Sequence, residues 1–336
     1  MTSKAKCSIV GLLLLGAAVS SGCGSNESSR QNPDQAAAPA AAMTLFTCAN
    51  EKTEQALVAN FTQSHPGSKI DVFRAPTGQL NARIAGDVRA GGLTADVIWA
   101  CDPLTMSSYA GQGLINSWKP TNAGAIPTRY QTADYVGAHL LYVVAVVHKG
   151  VPPPSSWADL TKPEYEDAVA LPSPGFAASA LGLLGYFAAT PGYGLDYYKA
   201  LKANGAVQVN TPDEVLTGVA SGTYKAGITL ANSAYAAQKK GSPIEIAWPQ
   251  PGAVAVYGPI AVTTKKDVSP ISEDFVTYVS SHEGQAAIAE TGVYVTMEGV
   301  AGPPIPDGAP IVSPDWPALS ADTSSLLQQY RAIYGG

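Results

Sequence analysis

The segment ADVIWACDPL, Ala95 to Leu104, sets the architecture of this chain. Its first half is almost continuously apolar, the pattern of a strand covered on both faces rather than one alternating toward water. The run ends in a thiol and a carboxylate, Cys101-Asp102, before Pro103 stops it. Such a strand needs helices on either side, and the neighbouring sequence supplies them. TLFTC (Thr44–Cys48) reads as a short apolar strand, and residues 51–64 carry Leu57, Val58 and Phe61 on one helical face before His65-Pro66-Gly67. KIDVF (Lys69–Phe73) alternates as a strand, and Leu80, Ile84 and Val88 recur every four residues after Pro76-Thr77. Alternation of strand and helix predicts an α/β fold with a parallel sheet and right-handed crossovers. Ligands of such sheets bind beyond the carboxyl ends of the strands. Asn50, Thr77, Cys101 and Asp102 fall at that edge, so they are expected to face a crevice.

A second region follows the apolar run LLYVVAVV (Leu140–Val147). VPPPSSWADL (Val151–Leu160) is a Pro-rich connection closing on a helix start at Ser155 or Ser156, and DAVALPSPG (Asp167–Gly175) is a strand followed by an apolar helix near 176–189. AVQVN (Ala206–Asn210) and AGITLA (Ala226–Ala231) read as strands around a helix Pro212–Ala220, with Thr211 a good N-cap. AVAVYGPIAVT (Ala253–Thr263) returns as a long strand before helices at 272–281 and 284–290. Residues 301–317 read as irregular, with a last helix near 324–333.

The first residues address the compartment. Lys4 and Lys6 precede SIVGLLLLGAAV (Ser8–Val19), an apolar run too short to span a bilayer but suited to a signal peptide. SSGC, ending at Cys23, resembles the lipobox of bacterial lipoproteins, with Ser20 where that motif usually has Leu; an ordinary secretory signal is the alternative. The expected order is a signal peptide at 1–22, then a lipidated Cys23 and a disordered tether through 42, rich in Ser, Asn, Ala and Pro. Two of the 20 basic residues leave with the signal, and the remaining 18 against 26 acidic give no basic face for nucleic acid. Cys7 leaves too and Cys23 would carry lipid, so Cys48 and Cys101 remain in an oxidising compartment, each ending a predicted strand. If those strands are parallel neighbours, a disulfide is expected; two buried thiols are the alternative.

GLI (Gly113–Ile115), SWADLTKPEYEDAVALPSP, YGPIAV and FVTYVSSHEGQAAIAETG (Phe275–Gly292) together resemble the extracellular solute-binding proteins of ABC importers, in the branch that includes ferric-ion, thiamine, polyamine, phosphonate and sugar-phosphate binders. The resemblance spans roughly Met43–Val300. It implies a two-lobed type II periplasmic-binding-protein fold, with crossing hinge strands near Leu140–Lys149 and Ala253–Val262. Lobe 1 is expected at 43–144 plus 258–336 and lobe 2 at 145–257. It also implies a monomeric receptor, lipid-anchored outside the cytoplasmic membrane, that delivers a small-molecule ligand to ABC permease subunits without a cofactor.

On that template the ferric-ion ligands fall at Asn50, at Cys101 or Asp102, and near Asn232-Ser233 with Tyr235 beyond. This set offers too little anionic oxygen for ferric iron, so no metal site is expected. PTG (Pro76–Gly78) and SPG (Ser173–Gly175) precede helices, where backbone amides attract phosphate or carboxylate; they also read simply as caps. The expected ligand-binding set is Asn50, Thr77, Gly78, Asp102, Ser173, Gly175, Asn232, Ser233 and Tyr235, with Asp102 receiving a substrate amine. An aminoalkylphosphonate suits it; ferric iron, thiamine or a polyamine are the alternatives. The scattered His65, His139, His148 and His282 lack metal-ligand spacing, and Tyr197-Tyr198 reads as packing. An exported hydrolase would need a nucleophile and base, and no Gly-x-Ser-x-Gly or His-Glu-x-x-His occurs, so no catalytic residue is expected. A lipid-anchored adhesion protein without a ligand is a third class.

Overall fold

The computed structural model describes residues 41–335, so the expected signal peptide, the expected lipid attachment at Cys23 and nearly all of the expected tether lie outside it. The first half runs β1 (Ala42–Thr47), α1 (Glu51–Ser64), β2 (Lys69–Arg74), α2 (Thr77–Arg89), β3 (Val97–Trp99), α3 (Pro103–Gly111) and the long β4 (Val136–His148). It continues through β5 (Val169–Pro172), α4 (Ala178–Ala188), α5 (Gly194–Ala203), β6 (Val207–Val209), α6 (Pro212–Ala220), β7 (Ala226–Leu230), α7 (Ala231–Lys239) and β8 (Ile244–Ala247). The chain returns along β9 (Ala253–Val262) and ends with α8 (Ser272–Val279), α9 (His282–Glu290), β10 (Tyr294–Val295), β11 (Ile311–Val312) and α10 (Trp316–Tyr334).

One curled sheet carries these elements in the order β2-β1-β3-β9-β4-β7-β5-β6. Each flank is parallel, as the βα alternation predicts: β1 pairs with β2 and β3, and β5 pairs with β6 and β7. The centre holds the two strands expected to cross, and they pair antiparallel. Strand β9 runs antiparallel to both β3 and β4, and β4 runs antiparallel to β7. A strand that leaves one flank and another that returns must point opposite ways, so β4 and β9 join two parallel halves through an antiparallel pair. This pair is the crossing of a two-lobed α/β fold. All ten residues of β9 and the first twelve of β4 are buried, which explains why their sequence is apolar apart from His139. Their ladder slips between Gly137 and His139.

Packing anchors the far end of the first flank. Asp96 is 1% exposed and its carboxylate accepts from the amides of Thr44 and Ser269, while Lys265 Nζ sits 2.9 Å from both oxygens. A buried carboxylate so fully partnered is stable where an unpaired one would not be. It pins β1, the start of β3 and the segment after β9 together, and so sets the stagger of their opposite ends.

The last helix corrects the sequence reading. It starts at Trp316, eight residues before the expected Ser324, because Asp315 caps it by accepting from Ala318 N–H and Pro317 sits in the first turn, where no amide donor is needed. This helix packs on α4 and α5, where Tyr330 meets Tyr198 edge-on at 5.1 Å, and also on α3 of the first region; Tyr330 donates to Gln208 Oε1. No helix among the described residues is long and apolar enough to cross a membrane.

Candidate binding site

The carboxyl ends of strands from both flanks converge on one cavity of about 180 Å³. Five helices begin at its wall. Asn50 and Thr53 come from the start of α1, Pro76 and Thr77 from α2, Ala177 to Ser179 from α4, Thr211 to Asp213 from α6, and Leu230, Asn232 and Ser233 from α7. Each helix start carries about half a positive charge on its unsatisfied amides. Helices α1 and α6 are capped by Asn50 and Thr211, and both have acidic residues in the first turn. Helices α2, α4 and α7 have neither a side-chain cap nor a first-turn acid, so their dipoles face the cavity uncompensated. Arg74, at the end of β2, adds the full positive charge on the wall. It is exposed and only loosely paired with Glu51 at 3.8 Å, an ion pair that solvent screens. Asp213 is the one carboxylate among the described lining residues.

Four of the nine expected ligand residues line this cavity: Asn50, Thr77, Asn232 and Ser233. Asn232 is 8% exposed and its Oδ1 has no protein partner, so it can accept a hydrogen bond from a guest. Asp102 lies off the wall. It is fully buried and caps α3, its Oδ1 accepting from Thr105 N–H at 2.8 Å. An Asp directly before Pro-Leu-Thr is more readily satisfied by its own helix than by a distant guest. Burial pushes its carboxyl above the usual range against the helix-start amides, and Oδ2 has no partner.

Ser173 and Gly175 are also off the wall, because the helix after them starts at Ala178 and not at the Ser-Pro-Gly turn. The carbonyl of Ser173 instead accepts from Phe176 and Ala177, which turns Phe176–Ser179 into the cavity. Gly78 meets this turn, its amide donating to Phe176 O at 3.2 Å. Tyr235 packs half-buried among apolar side chains instead of lining the cavity. Cys48 and Cys101 both line the wall and are joined as a disulfide, their α-carbons 5.9 Å apart at the ends of the parallel β1–β3 pair.

The sequence reading missed Arg74, Thr53, His139, Ser179 and Asp213. Arg74 ends a strand whose carboxyl edge had already been identified, so the edge rule alone could have found it. His139 could not be found that way, since it sits inside β4. The residue is 3% exposed, and Trp99 Nε1 donates to its Nδ1 at 2.9 Å. Burial lowers its pKa to about 4, so the ring is neutral near pH 7.

Residues 43–294 match the family described as bacterial extracellular solute-binding protein. The chain belongs to that family. As a member of it the chain is a solute-binding protein. A curated relative, the spermidine/putrescine-binding periplasmic protein of Salmonella typhimurium, is 23% identical over 52% of this chain and 55% of its own, so the match spans about half its length. Two solved structures share the fold over nearly their whole length. The periplasmic binding protein AfuA of Actinobacillus pleuropneumoniae, with fructose-6-phosphate bound, superposes with a TM-score of 0.78 at 18% identity, covering 87% of this chain and 98% of that one. Iron-bound HitA of Pseudomonas aeruginosa gives 0.74 at 19%, covering 87% and 99%. At such identities the likeness shows the fold, and the ligand of this solute-binding protein has to be argued from its own cavity.

Proposed function

We propose that this receptor captures a small solute with a phosphonate or phosphate-ester head and an amine tail, such as an aminoalkylphosphonate, and hands it to an ABC permease from a lipid anchor at Cys23. The observation that carries the reading is the convergence of five helix starts, three of them uncompensated, with Arg74 on one cavity. That field attracts an anion and repels a polycation. Asn232 Oδ1 and Asp213 supply acceptors for an amine, the role expected of Asp102. Loops from 43–144 and from 145–257 both contribute walls, which fits capture by closure of one lobe on the other.

Ferric iron fits poorly. No tyrosine lines the cavity among the described residues, both cysteines there are joined, and no cluster of three His, Cys, Asp or Glu side chains occurs among them. A thermal-shift panel tests the reading: 2-aminoethylphosphonate, inorganic phosphate, fructose 6-phosphate, spermidine and ferric citrate. A ligand at a hundred times its Kd stabilises by about 2.7 kcal/mol. An organophosphorus compound is expected to give that shift. A response to spermidine alone, or native mass spectra showing one retained iron, overturns the proposal.

A further inference from the structure

We propose that His139 is a ligand-contact residue, presenting its Nε2–H from the cavity floor to an oxygen of the bound anion. The inference rests on the anion reading above and assigns a donor to it. An indole N–H can only donate, so the bond from Trp99 Nε1 requires a bare Nδ1 on His139. In a neutral imidazole the remaining proton then sits on Nε2. Trp99 is fully buried and meets the imidazole edge-on at 71°, with ring centroids 5.4 Å apart, so its position holds both tautomer and ring orientation. Gly258 on the neighbouring strand makes the room: a β-carbon there would collide with the imidazole.

Nδ1 is satisfied, while Nε2 makes no hydrogen bond among the described residues and the ring lines the cavity. Nε2 is not sealed in the core, so its proton stays open to an acceptor in the cavity. A neutral, fixed donor adds no charge to the site. It distinguishes guests by where their oxygens lie, which suits a tetrahedral head with several acceptors better than a compact anion. The helix starts and Arg74 supply attraction, and His139 supplies direction.

Two substitutions separate this role from a structural one, with 2-aminoethylphosphonate as the calorimetric probe. In His139→Asn the amide oxygen can replace Nδ1 as the acceptor for Trp99, but nothing reaches the Nε2 position. In His139→Gln the longer amide can reach that position at the expense of the Trp99 bond. Loss of one hydrogen bond to a charged guest is expected to weaken binding about tenfold or more in His139→Asn, with its melting temperature near wild type. His139→Gln is expected to bind within a few-fold of wild type even where it is less stable. The reverse order overturns the proposal, because a core role favours Asn. In ¹⁵N-histidine spectra the Nε2 resonance of His139 is expected to be protonated without ligand and to shift on saturation; a proton on Nδ1 or an unmoved signal also overturns it. Equal binding by wild type and His139→Asn removes this inference alone. A wild type that binds neither the probe nor inorganic phosphate removes the anion reading and this one with it.

Discussion

Replacing Gly78 with Val tests whether contact between the two cavity loops accompanies capture. Gly78 is the second residue of α2 and has no positive φ, so a side chain there costs the isolated loop nothing. In the structure a β-carbon at Gly78 would lie 3.2 Å from Gly175 O, 3.3 Å from Phe176 Cδ2 and 3.4 Å from Phe176 Cα. One methyl is therefore tight but tolerable, while the two γ-methyls of valine must push the loops apart and break the Gly78 N–H to Phe176 O bond. Overpacking of this kind costs roughly 1–3 kcal/mol and a net hydrogen bond about 1 kcal/mol. A penalty of about 2 kcal/mol on the contacting state alone lowers apparent affinity roughly 30-fold, because every 1.4 kcal/mol is tenfold. Gly78→Ala is expected to lose less than about fivefold, since its neighbours need to give only a few tenths of an ångström. Calorimetry against 2-aminoethylphosphonate reads the affinity, and small-angle scattering of the liganded protein reads compaction. A folded Gly78→Val protein with unchanged affinity and compaction means that the loops need not touch for capture.

Three further outcomes are expected. Denatured, non-reduced protein lacking Cys7 and Cys23 is expected to show no free thiol; reducing the Cys48–Cys101 bond, which closes a 53-residue separation, is expected to cost about 4 kcal/mol and about 6 °C in melting temperature. Two titratable thiols before reduction refute the bond. Acid is expected to destabilise the fold through His139. Its folded pKa of about 4 lies below the unfolded 6.5, so the unfolded chain takes up the proton first, and the loss sets in below pH 6.5, reaching about 2 kcal/mol by pH 5. His139→Gln is expected to flatten that part of the urea-melt profile, and an unaltered slope refutes the assignment. Asp102→Asn keeps the cap acceptor and removes a desolvated charge, so at pH 7 it is expected to melt at or above the wild-type temperature and to bind the probe unchanged. A loss of binding at normal stability would return Asp102 to the site.

The sequence exposed β1–β7 and β9 and the edge at which the flanking strands end, since most of them are apolar runs between turn signals; β8, β10 and β11, two to four residues each, were missed because such short segments carry no pattern of their own. It exposed α1 and α6 to the residue, since His65-Pro66-Gly67 and Thr211-Pro212 are strong local signals. The resemblance placed the two crossing strands, but the local pattern did not give their antiparallel pairing, because pairing between β4 and β9 is decided more than a hundred residues apart in the chain. The sequence reading also confused two uses of one residue type. Asp102 and the Ser173–Gly175 turn have the chemistry of ligand groups, but local hydrogen bonds claim them first. His139 was passed over for the opposite reason: only the fold brings Trp99 to its Nδ1.

The slipped rung between Gly137 and His139 lies where β4 and β9, the two strands among the described residues that join the halves of the sheet, run side by side. The cavity floor is therefore cut from the same few residues on which any swing of the halves must pivot. A descendant of this receptor that acquires a new cargo by altering the floor also alters its own mechanics. Altering the loop-borne walls changes the cargo and leaves the pivot alone. Diversification of such a protein is expected to begin at its rims.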